Sequence, residues 1–274
     1  MAYELTGRVT VVTGAGSGIG RATVRLLARR GAVVHAADVD GDSAHEVAAE
    51  IARSGGRTVA HEVDVTDSGA VEALAARVYD AHGAVDVLHN NAGIGHGGPI
   101  EETTLDDWRR LVAVNLMGVV HGVHTFVPRM LEQGRPAHIV NSASMAGLLP
   151  NAQLAPYATT KHAVVGLSQS LNAELSQRGI RVSALCPGII NTPIVADAQL
   201  RGELAGRRAA MARFYERFGA TPDVVAEAVV DLLAGHQVIR TVPRRHVALG
   251  WALWRISPRL AQPLARLTPR LVSR

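Results

Sequence analysis

The sequence contains very little sulfur and few aromatic side chains. A single cysteine, Cys186, occurs among 274 residues, which excludes an internal disulfide and is typical of a protein from a reducing compartment. Aromatic residues make up only 4% of the chain, whereas 47% of its residues are hydrophobic. Aliphatic side chains must therefore build the core, and a chain of this length supplies enough of them for a globular protein.

Acidic residues are missing from the C-terminal part of the chain. None follows Asp231, whereas eight arginines fall between residues 235 and 274. The first 234 residues carry 20 basic and 24 acidic side chains, a net charge of −4, and the last forty residues carry +8. The net positive charge thus comes from a basic C-terminal stretch, and we expect no nucleic acid partner for the rest of the protein.

Long hydrophobic runs are absent as well. The first residues show no basic region followed by an apolar stretch, so we expect no signal peptide. No run of 18 or more uncharged apolar residues occurs, so we expect no membrane span and predict a cytoplasmic location. The twelve histidines show no spacing typical of metal ligands, and we expect no metal site.

A glycine-rich segment joins the first predicted strand, residues 7–13, to the first predicted helix. An acidic residue, Asp38, closes the next predicted strand 18 positions after the last glycine of this segment. Backbone N–H groups in such a turn bind a pyrophosphate, and an acidic residue at about this distance binds a ribose. The arrangement predicts a dinucleotide site that contains Gly14, Ser17, Gly18, Ile19, Gly20 and Asp38.

Asp38 also bears on which dinucleotide is bound. A 2′-phosphate on the ribose would meet the like charge of this carboxylate. Neither Ser17 nor the residues directly after Asp38 supply an arginine that could offset the repulsion. We therefore expect NAD in preference to NADP.

Strand and helix patterns alternate along the chain to about residue 242. This alternation predicts a single α/β domain, a Rossmann-type doubly wound parallel sheet of about seven strands with helices on both faces. Polar or glycine-containing segments follow the predicted strands, at Gly14, Asp38, Asp64, Asn90, Ser144 and Pro187. Because parallel strands end at the same edge of a sheet, we expect the ligand site at that edge.

Tyr157 and Lys161 are four residues apart in a predicted helix, so their side chains should lie on one face. Lys161 is the only lysine beside 27 arginines. An ammonium is a compact point charge, which a planar guanidinium does not replace at a tight site, although a biased base composition would also leave one lysine by chance. Ser144 follows a predicted strand, residues 137–140. A hydroxyl, a phenol and an ammonium are therefore expected to converge.

These segments, taken in order, resemble the classical short-chain dehydrogenase/reductase family. The resemblance covers about residues 5–250 and rests on Thr13-Gly14-x-x-x-Gly18-Ile19-Gly20, Asn90-Asn91-Ala92-Gly93, Asn115, Ser144, Tyr157-x-x-x-Lys161 and Pro187-Gly188. It implies an NAD(P)-dependent oxidoreductase that interconverts a secondary alcohol and its ketone by hydride transfer. It also implies a homodimer or homotetramer.

The resemblance assigns roles to individual residues. It implies that Tyr157 is the acid/base, that Ser144 rather than Ser142 binds the substrate oxygen, and that Lys161 binds the nicotinamide ribose. Asn115 would hold a water molecule in a proton relay. A free tyrosine titrates at about 10, and we expect the Lys161 ammonium and a cationic nicotinamide to lower the pKa of Tyr157. Cofactor contacts are further implied for Asp64, Val65, Asn91, Ala92, Gly93, Tyr157, Lys161, Pro187, Gly188, Ile189 and Thr192.

The segment at about 190–219 is a substrate lid by its position and by the resemblance. Its apolar side chains, together with others after the earlier strands, favour a hydrophobic alcohol or ketone, although packing of the lid itself would explain the same pattern. The residues concerned are Ile94, His96, Leu148, Leu149, Leu154, Ile194, Val195, Leu200, Leu204, Ala209, Met211, Phe214 and Phe218.

Residues 247–274 form a basic amphipathic extension beyond the catalytic domain, residues 1–246. Contact with the inner face of a membrane, packing on a subunit and disorder are all compatible with this extension. Two alternatives to an NAD-dependent dehydrogenase remain open. One is an NADP-preferring carbonyl reductase of the same family, and the other is a non-catalytic dinucleotide-binding scaffold that binds a membrane or a partner through the extension.

Overall fold

The computed structural model describes residues 3–259. Its strands run, in chain order, as β1 (Val9–Thr13), β2 (Val33–Asp38), β3 (Arg57–Glu62), β4 (Val87–Asn90), β5 (His96–Gly97), β6 (Ala137–Ser142), β7 (Ile180–Pro187), β8 (Gln199–Leu200) and β9 (Ile239–Val242). Seven of them form one parallel sheet in the order β3-β2-β1-β4-β6-β7-β9. The central strands β1, β4 and β6 are buried along their whole length, as expected for a parallel sheet that is covered on both faces.

Helices cover both faces of this sheet. They are α1 (Gly18–Arg29), α2 (Gly41–Arg53), α3 (Ser68–His82), α4 (Leu105–Leu111), α5 (Gly118–Glu132), α6 (Ala155–Leu175), α7 (Glu203–Gly206), α8 (Arg208–Phe218), α9 (Pro222–Ala234) and α10 (Arg244–Ile256). On one face α1 and α9 bury Leu27 and Leu233, and on the other α3 and α5 bury Leu74 and Phe126. The Rossmann-type fold class predicted from the sequence is thus confirmed.

The helical stretch between β5 and β6 is not a single α-helix. A π-helical segment, Val112–Met117, joins α4 to α5. The whole stretch Leu105–Glu132 is long and apolar enough to cross a membrane by length and composition. Phe126 and Met130 are nevertheless packed against the sheet, as in a core helix of a globular fold.

The predicted lid segment, at about 190–219, contains the short strand β8, which pairs with β5, followed by α7 and α8. Residue 246, the predicted end of the catalytic domain, lies inside α10, and the next residue, Val247, is buried with Ala184 and Cys186. Residues 260–274 of the predicted extension lie outside the described residues.

Candidate active site

A cavity of about 1070 Å³ opens at the carboxyl edge of the sheet, where the sequence placed the ligand site. Its wall is formed by the ends of β1, β2, β4, β6 and β7 together with the lid. The sequence-predicted residues on this wall are Gly14, Ser17, Gly18, Ile19, Asp38, Asp64, Val65, Asn91, Ala92, Gly93, Ser144, Tyr157, Lys161, Pro187, Gly188, Ile189 and Thr192. Gly20 and Asn115 lie behind the wall.

The glycine-rich turn brings its backbone to the cavity because side chains would not fit there. Gly14 has a φ of +63°, a conformation that favours glycine, and a Cβ at this position would lie 2.8 Å from the Ala92 Cα. A Cβ on Gly20 would collide with the Gly14 carbonyl oxygen, so Gly20 permits close packing and does not line the cavity. α1 begins at Gly18 with no acidic residue in its first turn. Its free N–H groups and positive dipole end suit a phosphate.

Asp38 stands at the end of β2 and holds this turn in place. Its Oδ2 accepts a hydrogen bond from the Gly16 N–H at 2.8 Å, and its Oδ1 accepts from the Asp40 N–H at 3.0 Å. The remaining lone pairs of the carboxylate can accept from ribose hydroxyls. The basic residues on the cavity wall lie on α4, on α6 and in the lid; they are Arg110, Lys161 and Arg207.

Tyr157, Ser144 and Lys161 converge as the sequence predicted. Tyr157 and Lys161 project from the first two turns of α6, and the Lys161 Nζ lies 5.7 Å from the centroid of the tyrosine ring. Ser144 follows β6 in extended conformation and hydrogen-bonds with the Tyr157 side chain. Lys161 as a whole is 4% exposed, and its ammonium group donates a hydrogen bond to the Ser142 carbonyl oxygen at 2.9 Å.

The pKa of Tyr157 was expected to be lowered by the Lys161 ammonium together with a bound cationic nicotinamide. In the chain by itself, burial has the largest influence and raises the pKa of Tyr157 to about 12. The hydrogen bond with Ser144 acts in the opposite direction. Burial also lowers the pKa of Lys161 to about 8. Because burial disfavours the charged form of each group, the chain by itself keeps the phenol protonated.

Asn115 lies in the π-helical segment and clamps the loop after β4. Its Oδ1 accepts from the Ile94 N–H at 2.8 Å, and its Nδ2 donates to the Ile94 carbonyl oxygen at 3.0 Å. A Cβ on Gly93 would lie 3.2 Å from the Asn115 Oδ1 and 3.4 Å from the Lys161 Nζ. Asn115 therefore lies close to Lys161, and its side-chain amide is hydrogen-bonded to the backbone of Ile94.

A chain of hydrogen bonds fixes Asn91 from behind the cavity and was not anticipated from the sequence. The Asn91 Nδ2 donates to the carbonyl oxygens of Thr13 (3.0 Å) and Gly14 (3.2 Å), so its Oδ1 accepts from the Ser142 hydroxyl at 3.1 Å. The Ser142 oxygen in turn accepts from the His89 Nε2 at 2.9 Å. Burial lowers the pKa of His89 to about 3, so the imidazole is neutral. Because the Ser142 hydroxyl donates its proton to Asn91, the arrangement assigns the imidazole proton to the His89 Nε2.

The neighbouring strand contains a matching pair that points away from the cavity. His138 in β6 lies 2.9 Å from the Ser183 hydroxyl, which donates to the Gln237 carbonyl oxygen at 2.7 Å. His138 is buried like His89, and burial likewise lowers its pKa to about 3. In the sequence, His89 and His138 cannot be told apart from other strand residues. Only the pairing of the strands shows that His89 is connected to Asn91 on the cavity wall.

Apolar side chains of the predicted lid segment line the end of the cavity away from Asp38. The predicted residues on the wall are Ile94, His96, Leu154, Ile194, Leu200, Leu204, Met211 and Phe214, whereas Leu148, Leu149, Val195, Ala209 and Phe218 are not part of it. Tyr215, which the sequence did not single out, also lines this end. Arg201 ties the lid to α4 through two hydrogen bonds to the buried Asp107 carboxylate, at 2.9 and 3.1 Å.

Within residues 3–259, no three His, Cys, Asp or Glu side chains come together as metal ligands.

Comparisons with known proteins agree with this geometry. Residues 8–201 match the family model described as short chain dehydrogenase. The chain is 40% identical over 262 residues to the probable oxidoreductase EphD of Mycobacterium tuberculosis, covering 93% of this chain but only 44% of that protein. It is 35% identical over 237 residues to the cyclohexanol dehydrogenase of an Acinetobacter species, covering 85% of this chain and 90% of that one.

A solved structure shows the same similarity in three dimensions. It is a short-chain dehydrogenase/reductase from Burkholderia phymatum in complex with NAD, with a TM-score of 0.87 and 34% sequence identity. The alignment covers 94% of this chain and 96% of that one. The family model, the relatives and the solved structure agree with one another, and the chain belongs to the short-chain dehydrogenase/reductase family.

Proposed function

We propose that this protein is an NAD-dependent dehydrogenase that interconverts a hydrophobic secondary alcohol and its ketone. The observation that carries the proposal is one cavity with Asp38 at one end and Tyr157, Ser144 and Lys161 at the other. Its substrate end is largely apolar. The NAD complex of the Burkholderia relative and the cyclohexanol activity named for the Acinetobacter relative support the same cofactor and substrate class.

The residues present fit a nicotinamide dinucleotide. The glycine cradle at Gly14 and the open N-terminus of α1 suit its pyrophosphate, and Asp38 suits its adenosine ribose. Ile189 and Thr192 line the opposite end, beside Tyr157. When bound, the nicotinamide supplies the hydride chemistry, while the protein supplies position and electrostatics.

Proton transfer falls to the Tyr157 hydroxyl. In the direction of alcohol oxidation, the phenolate form of Tyr157 removes the alcohol proton, while the Ser144 hydroxyl orients the same oxygen. Because burial favours the neutral phenol, positive charge near the ring must stabilise the phenolate. The Lys161 ammonium, held by the Ser142 carbonyl oxygen, contributes part of that charge.

A panel of hydrophobic secondary alcohols, including cyclohexanol, tests the proposal. We expect NAD-dependent oxidation followed as NADH absorbance, and binding of NADH at least roughly tenfold tighter than NADPH because Asp38 repels a 2′-phosphate. Fluorescence titration of both dinucleotides measures the preference. Tighter binding of NADPH would favour the carbonyl reductase alternative, and dinucleotide binding without turnover of any alcohol would favour the scaffold. Assembly as a homodimer or homotetramer belongs to the same proposal and is measured by light scattering.

His89 offers a prediction about cofactor binding. His89→Val removes the donor to Ser142 and thereby loosens Asn91 at the glycine turn, so we expect the Kd for NADH to rise about tenfold, the equivalent of a buried hydrogen bond. His89→Gln can keep a donor at a similar reach and should stay close to wild type. The measurement is a fluorescence titration of NADH with each variant.

His138→Val is the matched control for that substitution. It removes an equally buried imidazole from the adjacent strand, and it should lower the melting temperature without changing the Kd. If both valine variants weaken NADH binding equally, general loosening of the sheet is the cause. The hydrogen bonds that join His89, Ser142 and Asn91 then have no particular role in cofactor binding.

A further inference from the structure

Helix α10 attaches to the body directly behind the cavity wall. Val247 is buried, and the Ile189 N–H donates to the His246 Nδ1 at 3.3 Å. The helix also packs closely on the loop after β6, since a Cβ on Gly250 would lie 3.3 Å from the Leu149 Cδ1. These contacts fix the orientation of the helix, so its opposite face is held outward in a defined position.

The outward face of α10 carries a stripe of large apolar side chains. Leu249 is 73% exposed, Leu253 is 39% exposed and Ile256 is 82% exposed. Their spacing of four and three residues places them on one side of the helix. Ten large hydrophobic residues are exposed among those that the structure describes, and three of the ten lie on this one helix. Such a concentration marks a contact surface and is not the usual scatter of single apolar residues.

The same segment is positively charged. Arg244, Arg245, Arg255 and Arg259 are exposed, and no acidic residue occurs after Asp231. Within residues 3–259 none of these four guanidinium groups forms an ion pair. Arg255 instead stacks on the Trp251 ring, at 5.3 Å from its centroid. The groups around the apolar stripe are therefore available to an anionic surface.

We propose that α10 docks the protein on an anionic phospholipid bilayer. A short helix with an apolar stripe and flanking arginines lies in the interfacial plane, with the stripe among acyl chains and the guanidinium groups at lipid phosphates. A second copy of α10 fits this face poorly, because it would bring arginines together without any acidic side chain from the same segment. A nucleic acid would leave the leucines without a partner. An anionic bilayer offers acyl chains to the apolar stripe and phosphates to the arginines.

Docking in this orientation has a consequence for the cavity. His246 sits against Gly188, whose backbone forms part of the cavity wall, so the cavity is held close to the lipid surface. Apolar alcohols and ketones concentrate in lipid. Lipid binding depends on α10 and not on catalysis, so it can be measured without any turnover.

Co-sedimentation of the full chain with vesicles tests the proposal. We expect binding to vesicles that contain phosphatidylglycerol to be at least about tenfold stronger than to vesicles of phosphatidylcholine alone, because each arginine near an anionic surface adds to the attraction. Salt at about 1 M should weaken the binding, since the Debye length is then about 3 Å. Equal affinity for neutral and anionic vesicles, or binding to neither, would overturn the proposal.

Substitutions in the stripe locate the contact. The double variant Leu249→Glu/Leu253→Glu should lose at least about tenfold in vesicle affinity, since two charges must then enter the interface. Leu105→Glu is the matched control, because Leu105 is 70% exposed on α4, and it should bind like wild type. Light scattering accompanies each measurement. Unchanged vesicle binding by the double variant would refute the assignment to α10, as would dissociation of an oligomer by that variant without any lipid binding by the wild type.

Discussion

Tyr157→Phe is expected to lower kcat for alcohol oxidation by about a thousandfold, the usual contribution of a positioned acid/base group. Phenylalanine keeps the ring in its place beside Lys161 but cannot take up the alcohol proton. The Kd for NADH should change little, because the substitution leaves the glycine turn and Asp38 intact. Steady-state kinetics and a fluorescence titration of NADH measure the two quantities.

Two further readouts separate a chemical role for Tyr157 from a structural one. Oxidation by the wild type should accelerate as pH rises, because the phenol must lose a proton whose pKa is raised by burial, and the phenylalanine variant should lose this dependence. Tyr215→Phe removes a phenol from the lid side of the same cavity and should have a much smaller effect on kcat. Full turnover by Tyr157→Phe would overturn the proposed mechanism.

Lys161→Arg is expected to reduce kcat/KM at least about a hundredfold although the charge is retained. Lys161 is buried, and its hydrogen bond of 2.9 Å to the Ser142 carbonyl oxygen suits a compact ammonium group. A Cβ on Gly93 would already approach the Nζ to 3.4 Å, which leaves little room for a planar guanidinium. The loss should appear both in kcat and in the KM for NAD, since Lys161 is assigned to both the ribose and the tyrosine.

Arg110→Lys is the matched control for that variant. It exchanges the same two residue types on the cavity wall, but at a residue whose guanidinium group, within residues 3–259, hydrogen-bonds to the Gln199 side chain alone. Kinetics close to wild type are expected for it. Near-normal turnover of Lys161→Arg would show that the occurrence of a lone lysine at this site reflects base composition and not chemistry.

The sheet and the cofactor end of the site were predictable from local patterns. β1 and β2 are short buried runs, and the glycine-rich turn between them has conformational demands that few other residues meet. The spacing of Tyr157 and Lys161 predicts their common face once α6 is recognised, because the helix geometry alone sets it. Each of these inferences depends on neighbours in the chain.

The remaining features depend on contacts between distant segments. β5 and β8 are two residues long, and only their mutual pairing makes them strands. His89 reaches Asn91 through Ser142, 53 residues further along the chain, which no periodicity reveals. The effect of burial on the pKa of Tyr157 is hidden for the same reason, since desolvation is a property of the packed site and depends on residues far apart in the chain.

The single lysine has a spectroscopic consequence. Since Lys161 is the only lysine in the chain, growth on lysine labelled with carbon-13 at the ε position would introduce one side-chain signal, and that signal would come from the cavity wall. Its chemical shift would report the protonation of the ammonium directly, against a pKa lowered by burial to about 8. The composition of the chain therefore makes the side chain of Lys161 observable on its own.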